Sequence, residues 1–303
     1  MSEETLEYVN ADPASAAIPA SSASEAAECP SCASSPGGGA PSRTPMSFVY
    51  AIGRIEARFP RLSVEKEFFQ AVGREDTAGL TDQQTFYDVL SKPENRYLLR
   101  QLCWVFLVQG MEAYVLQPRD PMDLDRMREA IRPLPDPGDV DVVVGLRGPL
   151  ASPDMCNGLM VPVVAVDQIY SFDRATLIAA IPRPEKITAK QFESAAVEVF
   201  DRVARMTDNA GSTDDHRALN YLAMRYPAIY AKAAEQFGAG LALTGVEVLP
   251  SRLSGSRKRV DVIFEYNDRA SGFCEKYAVR VDVTEEFPFL VTKLAPYYDQ
   301  RYA

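Results

Sequence analysis

Cys29 and Cys32 stand three positions apart in Glu28-Cys-Pro-Ser-Cys-Ala33. Pro30 tightens the turn between them, which puts both sulfurs on one side of a knuckle. That is half of a tetrahedral zinc site. The other half has to come from elsewhere in the chain, which offers Cys103, Cys156, Cys274 and a single histidine, His216. A site closed by four sulfurs leaves no position for water, so such a zinc would be structural rather than catalytic. A redox role for the Cys-x-x-Cys pair needs a helix N-terminus to lower a thiol pKa, and nothing around Cys29 predicts one.

Two other clusters could do chemistry. His216 follows Asp214 and Asp215 and precedes Arg217, an arrangement open to a carboxylate–histidine acid/base pair. The plainer reading is a helix start, with Ser212 or Thr213 as cap and the acids complementing the positive end of the helix. Arg252, Arg257, Lys258 and Arg259 form a basic run between two apolar alternations. It is either a solvated loop or a docking patch for an acidic segment, by charge complementarity. Asp282, Glu285 and Glu286 could pair as carboxylates, but the solvent face of a strand entering a turn explains them as well. Gly37 to Gly39 lack the strand and helix that a phosphate loop needs.

The elements that must position these residues fall into two regions. Residues 1–45 are rich in Ala, Ser, Pro and Gly, with six acids (Glu3, Glu4, Glu7, Asp12, Glu25, Glu28) against Arg43, net −5. Such a segment reads as a disordered acidic tail. Residues 46–303 read as one large domain. Phe48–Glu56, Cys103–Leu107, Ala113–Leu116, Val140–Val144 and Leu159–Ile169 read as strands. Leu62–Val72, Thr81–Leu90, Asp120–Ile131 and Thr188–Met206 read as amphipathic helices, with two more between Ser212 and Phe237. Val246–Val248 reads as a short strand. Val260–Tyr266 and Tyr277–Val283 alternate as a half-buried antiparallel hairpin. The aromatic end, Pro288 to Tyr302, reads as a docking helix. The fold class is α+β, with helices packed on a mainly antiparallel sheet.

Composition narrows the function. The 303 residues are 47% hydrophobic and 24% charged, ordinary for a globular protein, and the net charge is −10. That charge argues against nucleic acid and anionic membrane as partners. The acidic N-terminus has no apolar core segment, so no signal peptide is expected. No stretch reaches the roughly 20 apolar residues that span a bilayer. A reducing cytoplasm follows as the expected compartment, where cysteine pairs mean metal or reactivity more often than disulfides.

Six segments carry a family resemblance: SFVYAIGRIEARFPRLSVEKEF (47–68), ENRYLLRQLCWV (94–105), DMCNGLMVPVVAVDQIYSF (154–172), DNAGSTDDHRALNYLAMRYPAIY (208–230), TGVEVLPSRLSGSRKRVDVIFEY (244–266) and KYAVRVDVTEEFPFLVTKLAPYYDQ (276–300). Together they resemble the C-terminal domain of unknown function of the PatA/PatG cyanobactin maturation proteases. The resemblance implies a place in the maturation of ribosomally made, post-translationally modified peptides. It does not imply proteolysis. The family's separate subtilisin-like domain is not expected here, because no Gly-Thr-Ser-Met or His-Gly-Thr segment occurs. Cys103 and Cys156 fall in the segments of closest likeness, which favours them over Cys274 as partners of Cys29 and Cys32 around zinc. The leading expectation is a zinc-stabilised accessory domain that binds a precursor peptide or a partner maturation enzyme. The basic run would serve as its docking patch. The rival is an enzyme acting on the same peptides through His216, Asp214, Asp215 and Arg217. A homodimer built on Phe287, Phe289, Tyr297 and Tyr298 is a third reading.

Overall fold

The structure, a computed structural model, describes residues 47–73, 82–133, 140–183, 187–204, 208–268 and 272–298. The chain divides into Met1–Thr44 and Pro45–Ala303, and the described residues all lie in the second unit.

Its first half is a closed barrel. β1 (Ser47–Arg58) leads into helices α1 (Leu62–Val72) and α2 (Asp82–Ser91) and a 3-10 segment, Pro93–Arg100. β2 (Cys103–Val108) and β3 (Met111–Pro118) form a hairpin, α3 (Pro121–Ala130) follows, and β4 (Val140–Leu150) and β5 (Pro162–Phe172) complete the set. The order around the barrel is β1-β2-β3-β5-β4, with β4 closing on β1. Every pairing is antiparallel except β3 with β5. Closure is tight where β1 crosses β2: a Cβ on Gly53 would lie 2.0 Å from the Leu107 carbonyl oxygen.

The strand β1 is buried on both faces, which explains its unbroken apolar run. Val49, Ala51 and Ile55 join Trp104, Phe106, Tyr114, Leu116, Val143, Val164 and Val166 in the barrel core. α1, α2, α3 and the 3-10 segment add Val64, Phe68, Leu90, Leu98, Leu99 and Met127 to that core. Trp104 satisfies its indole N–H on the Leu99 carbonyl at 3.1 Å. The opposite face of β1 presents Tyr50 and Ile52 to a second core.

That second core is built by the rest of the chain. α4 (Arg174–Ala180), α5 (Ala189–Ala204), α6 (Asp214–Arg225) and α7 (Ala228–Gly238) precede β6 (Leu241–Pro250), β7 (Arg259–Asp268) and β8 (Cys274–Asp282). The sheet order is β10-β8-β7-β6, with the two-residue strands β9 (Phe289–Leu290) and β10 (Ala295–Pro296) both paired to β8. Phe192, Val199, Leu219, Leu222 and Tyr230 from the helices pack between Tyr50, Ile52, Val142 and Val144 of the barrel and Val262, Phe264, Val279 and Val281 of the sheet. The architecture is therefore α+β, as expected, with helices between two mainly antiparallel sheets rather than on one.

The C-terminal end differs from the expected docking helix. Pro288 and Pro296 interrupt it, and β8 has an open side to satisfy its backbone. Val291 N–H donates to the Arg280 carbonyl at 2.8 Å, and Leu294 N–H to the Tyr226 hydroxyl at 2.9 Å. Extended pairing thus replaces helical bonds that proline could not donate. β6 is also longer than the expected Val246–Val248, because a register shift between Leu243 and Gly245 lets it continue past the glycine.

Candidate functional site

Cys103 opens β2 and Cys156 sits in the loop between β4 and β5. The structure joins them in a disulfide, Cα–Cα 5.6 Å, across 53 residues of sequence. Both are buried in a small cluster with Val105, Leu107, Val115, Ala151 and Val163. The bond straps the β4–β5 loop over the outer face of β2 and β3. Joined to each other, the sulfurs are not thiolates, so this pair could serve a metal only when reduced. Cys29 and Cys32 lie outside the described residues. Cys274 is exposed at the start of β8. Among the described residues no group of three or more His, Cys, Asp or Glu side chains could hold a metal ion.

A cleft of about 690 Å³ opens beside this strap. One wall is the end of β1 and the start of α1, with Arg58, Phe59, Arg61, Leu62 and Glu65, and Phe86 of α2 stands beside them. The other wall is the loop Cys156–Leu159. Phe59 packs on Phe68 at 5.3 Å and on Phe86 at 5.2 Å between ring centroids, which makes an aromatic floor. Arg58 is held by Glu112 at 2.8 Å and Glu56 at 3.1 Å. Sequence reading missed this site, since its two walls are nearly a hundred residues apart and carry no motif.

The His216 cluster is a helix start. Thr213 is the N-cap of α6, its hydroxyl accepting from the His216 N–H at 3.1 Å. Burial holds the His216 imidazole below its usual pKa, while the nearby Asp215 and Asp208 carboxylates pull the other way. Its Nδ1 is buried with no hydrogen-bond partner. Arg217 is buried, and it donates to the carbonyls of Val283 at 2.9 Å, Glu286 at 3.2 Å and Glu285. Asp214 pairs with Arg217 at 3.4 Å and with Lys258 at 3.4 Å. A neighbouring cavity of about 320 Å³ is lined by Tyr114, Arg147, Asp208, Asn209, Ala210 and Ser212 among others, and His216 is not in its wall. The four candidate catalytic residues are adjacent in sequence, and none of them lines either of the two cavities described above.

The basic run lies in the turn between β6 and β7. Arg257 and Arg259 both reach Asp282, at 3.7 Å and 3.3 Å, and Lys258 reaches Asp214. Against burial, the hydroxyl and amide of Thr284 together with Arg259 hold the Asp282 carboxyl below its usual range. Much of the charge of this run is therefore used within the fold, which leaves less for a partner.

One carboxyl pair was not foreseen. Glu286 follows β8 and meets Asp167 of β5. Burial, then the hydrogen bond and charge of Asp167, push the Glu286 carboxyl up to about 7, against Arg119 and Arg217, which lower it. Glu286 Oε1 and Asp167 Oδ2 are buried and have no other hydrogen-bond partner, so a proton shared between the two carboxyls satisfies both. Arg119 holds Asp167 from the other side at 2.5 Å. The folded state then keeps a proton that the unfolded state releases near pH 4.5. Stability from this pair is present below that value and is lost as pH rises through about 7. Asp141, pushed up to about 6 by burial, adds a trend of the same sign. The melting temperature should fall from about pH 5 to about pH 8, and Glu286→Gln should reduce that slope without abolishing it. An unchanged slope would mean that no proton is shared.

Comparison with known proteins bears on the whole arrangement. Residues 186–297 match a family model described as PatG C-terminal. The family match is to PatG. The fold also matches a solved structure, "PatG Domain of Unknown Function", with a TM-score of 0.66 and 20% identity over 83% of this chain and 98% of that one. The 112 residues from 186 to 297 are little more than a third of the 303. A likeness over 83% must therefore extend into the barrel, so the barrel is part of the PatG-type fold. At this identity the structural match speaks for the fold and not for an activity. No curated protein matches the chain by sequence. Among the described residues no helix is long and apolar enough to cross a membrane.

Proposed function

We propose that this chain is a non-catalytic accessory domain that binds a precursor peptide or a partner enzyme during maturation of ribosomally made, cyanobactin-like peptides. The observation that carries the reading is the PatG C-terminal match over residues 186–297. The fixed roles of Arg217 and Asp214 in the α6 start support the non-catalytic part. Fluorescence anisotropy of a labelled linear precursor peptide should give saturable binding that weakens with salt, and mass spectrometry should show the peptide uncut. No binding overturns the reading, and cleavage or modification of the peptide replaces it with an enzyme.

A structural zinc held by Cys29, Cys32, Cys103 and Cys156 is part of the same proposal. What supports it is the meeting of Cys103 and Cys156 in the fold, plus reach. Fifteen residue steps separate Cys32 from Ser47, and an extended chain of that length spans about 50 Å. Reduced, the four thiolates would bind zinc at about 2.3 Å each, with no place for water. The metal would anchor the segment that carries Cys29. Mass spectrometry of reduced, chelator-free protein should find zinc at one per chain, lost in Cys29→Ser. Absence of zinc from the wild type sinks the clamp but leaves peptide binding standing.

A further inference from the structure

The cavity of about 320 Å³ is assembled from four separate segments. The β2–β3 hairpin turns there through Gln109 and Gly110, both with positive φ. A register shift between Phe106 and Leu107 sets Glu112 opposite Leu107. β4 brings Arg147, β5 brings Pro162, and the turn before α6 brings Asp208, Ala210 and Ser212. Hairpin and turn are fastened to each other, because the buried Tyr114 donates its hydroxyl to the Ala210 carbonyl at 2.7 Å. Asn209 beside it is buried and pairs with Asn220. The fold therefore sets these walls without help from a ligand.

The charges in the wall are unevenly used. Glu112 is held by Arg58 at 2.8 Å. Arg147 and Asp208 are both exposed, and among the described residues neither has an ion pair or a side-chain hydrogen bond, with each other or with any neighbour. One free cation and one free carboxylate thus share a wall whose exposed surface is otherwise mostly apolar, with Val108, Met111, Ala113 and Pro162.

That lining separates the ligand classes. A phosphate or a nucleic acid would gain Arg147 but meet Asp208 and a chain of net charge −10. A simple cation would gain Asp208 but meet Arg147. A neutral apolar molecule would strip water from both charges and give nothing back. A zwitterion with an apolar body answers both charges and the apolar wall, and its zero net charge makes it indifferent to the −10. The volume lies at the low end of the range of about 300–1,000 Å³ for ligand sites, which suits one small molecule rather than a long chain.

We propose that this cavity binds a short apolar zwitterion, a free amino acid or dipeptide, with Arg147 taking its carboxylate and Asp208 its ammonium. Such a site is independent of precursor or partner binding, so either can fail alone. Isothermal titration calorimetry on the full chain compares leucine and Leu-Leu, each also N-acetylated and each also amidated at its carboxyl end, with sodium phosphate as the bare anion. Leucine or Leu-Leu should bind, and the tighter of the two gives the size the cavity takes. Both capped forms of that ligand should bind about tenfold weaker or more, the order expected for losing a hydrogen bond to a charged group. Arg147→Gln should weaken the free ligand similarly and remove the preference for free over amidated. Asp208→Asn should remove the preference for free over acetylated. Both side chains are exposed, and asparagine tolerates the positive φ of residue 208, so melting temperature should not fall. Met122→Gln, 59% exposed and outside the cavity, should bind as the wild type does. If neither leucine nor Leu-Leu binds, the site is overturned. If the capped forms bind as well as the free ones, or the two variants keep the wild-type preferences, the roles of Arg147 and Asp208 are overturned. Phosphate binding as tight as the amino acid overturns the ligand class.

Discussion

Gly211→Ala is expected to remove a large part of the protein's folding stability. Gly211 has φ +71°, and a Cβ there would lie 2.3 Å from the Tyr50 carbonyl oxygen and 2.6 Å from Ala51 Cα. Those atoms are backbone of β1, so no rotamer change relieves the contact. The glycine also accepts the Tyr50 N–H at 2.9 Å. The same carbonyl of Tyr50 takes the Asn220 amide at 2.8 Å, and Asn220 in turn pairs with Asn209. Separating the turn from β1 would break this buried set together. Left-handed strain of about 1–2 kcal/mol plus the backbone clash places the cost above about 4 kcal/mol, out of a total near 5–15 kcal/mol for an ordinary domain. Gly110→Ala is the control. It has φ +81° with nothing within 4 Å of the added atom, so it bears the strain alone. Urea midpoints should differ widely between the two variants. Equal midpoints would refute the docking of the Gly211 turn on β1.

Arg217→Ala is expected to cost about 3–5 kcal/mol, the range for removing one member of a buried charged network. The guanidinium ties three consecutive-turn carbonyls, Val283, Glu285 and Glu286, to α6, and it lies 5.3 Å from the Phe48 ring centroid. Without it those carbonyls lose their donor and the segment after β8 loses its hold. Arg217→Lys should recover little, because an ammonium cannot present the planar fork that reaches several acceptors. Urea unfolding gives the cost, and amide exchange should show lost protection from Val283 to Glu286 first. A catalytic Arg217 would instead lower an activity with stability intact.

Local elements were legible where local chemistry decides them. Leu62–Val72 reads as a helix from its apolar spacing and is one over those same residues. The α6 start reads from its Ser-Thr-Asp-Asp run, and Thr213 does cap it. The barrel was not legible. Its closure rests on β1 with β4 and β3 with β5, pairings between distant segments that leave no periodic trace. The C-terminal end failed for a related reason. Its residues favour a helix or an extended strand about equally, and the open edge of β8 decides. The meeting of Cys103 and Cys156 came from family likeness, not from their spacing. The Phe59–Phe86 cleft and the Asp167–Glu286 pair had no signal, since each is made by contacts between remote segments. Glu286 looked like a solvent-facing turn acid until β5 was placed against it.

The core that Tyr50 and Ile52 share with α6, β7 and β8 also sets an order of events during synthesis. The strand that carries them is made early, while α6, the helix that covers its outer face, emerges about 160 residues later. At roughly 5–20 residues per second, that face stays exposed for roughly 10–30 seconds while the chain is still being made. The barrel can close in the interval, but one flank remains apolar and open to aggregation or chaperone capture. Slow, chaperone-sensitive maturation of the nascent chain therefore follows from placing the helices between the two sheets.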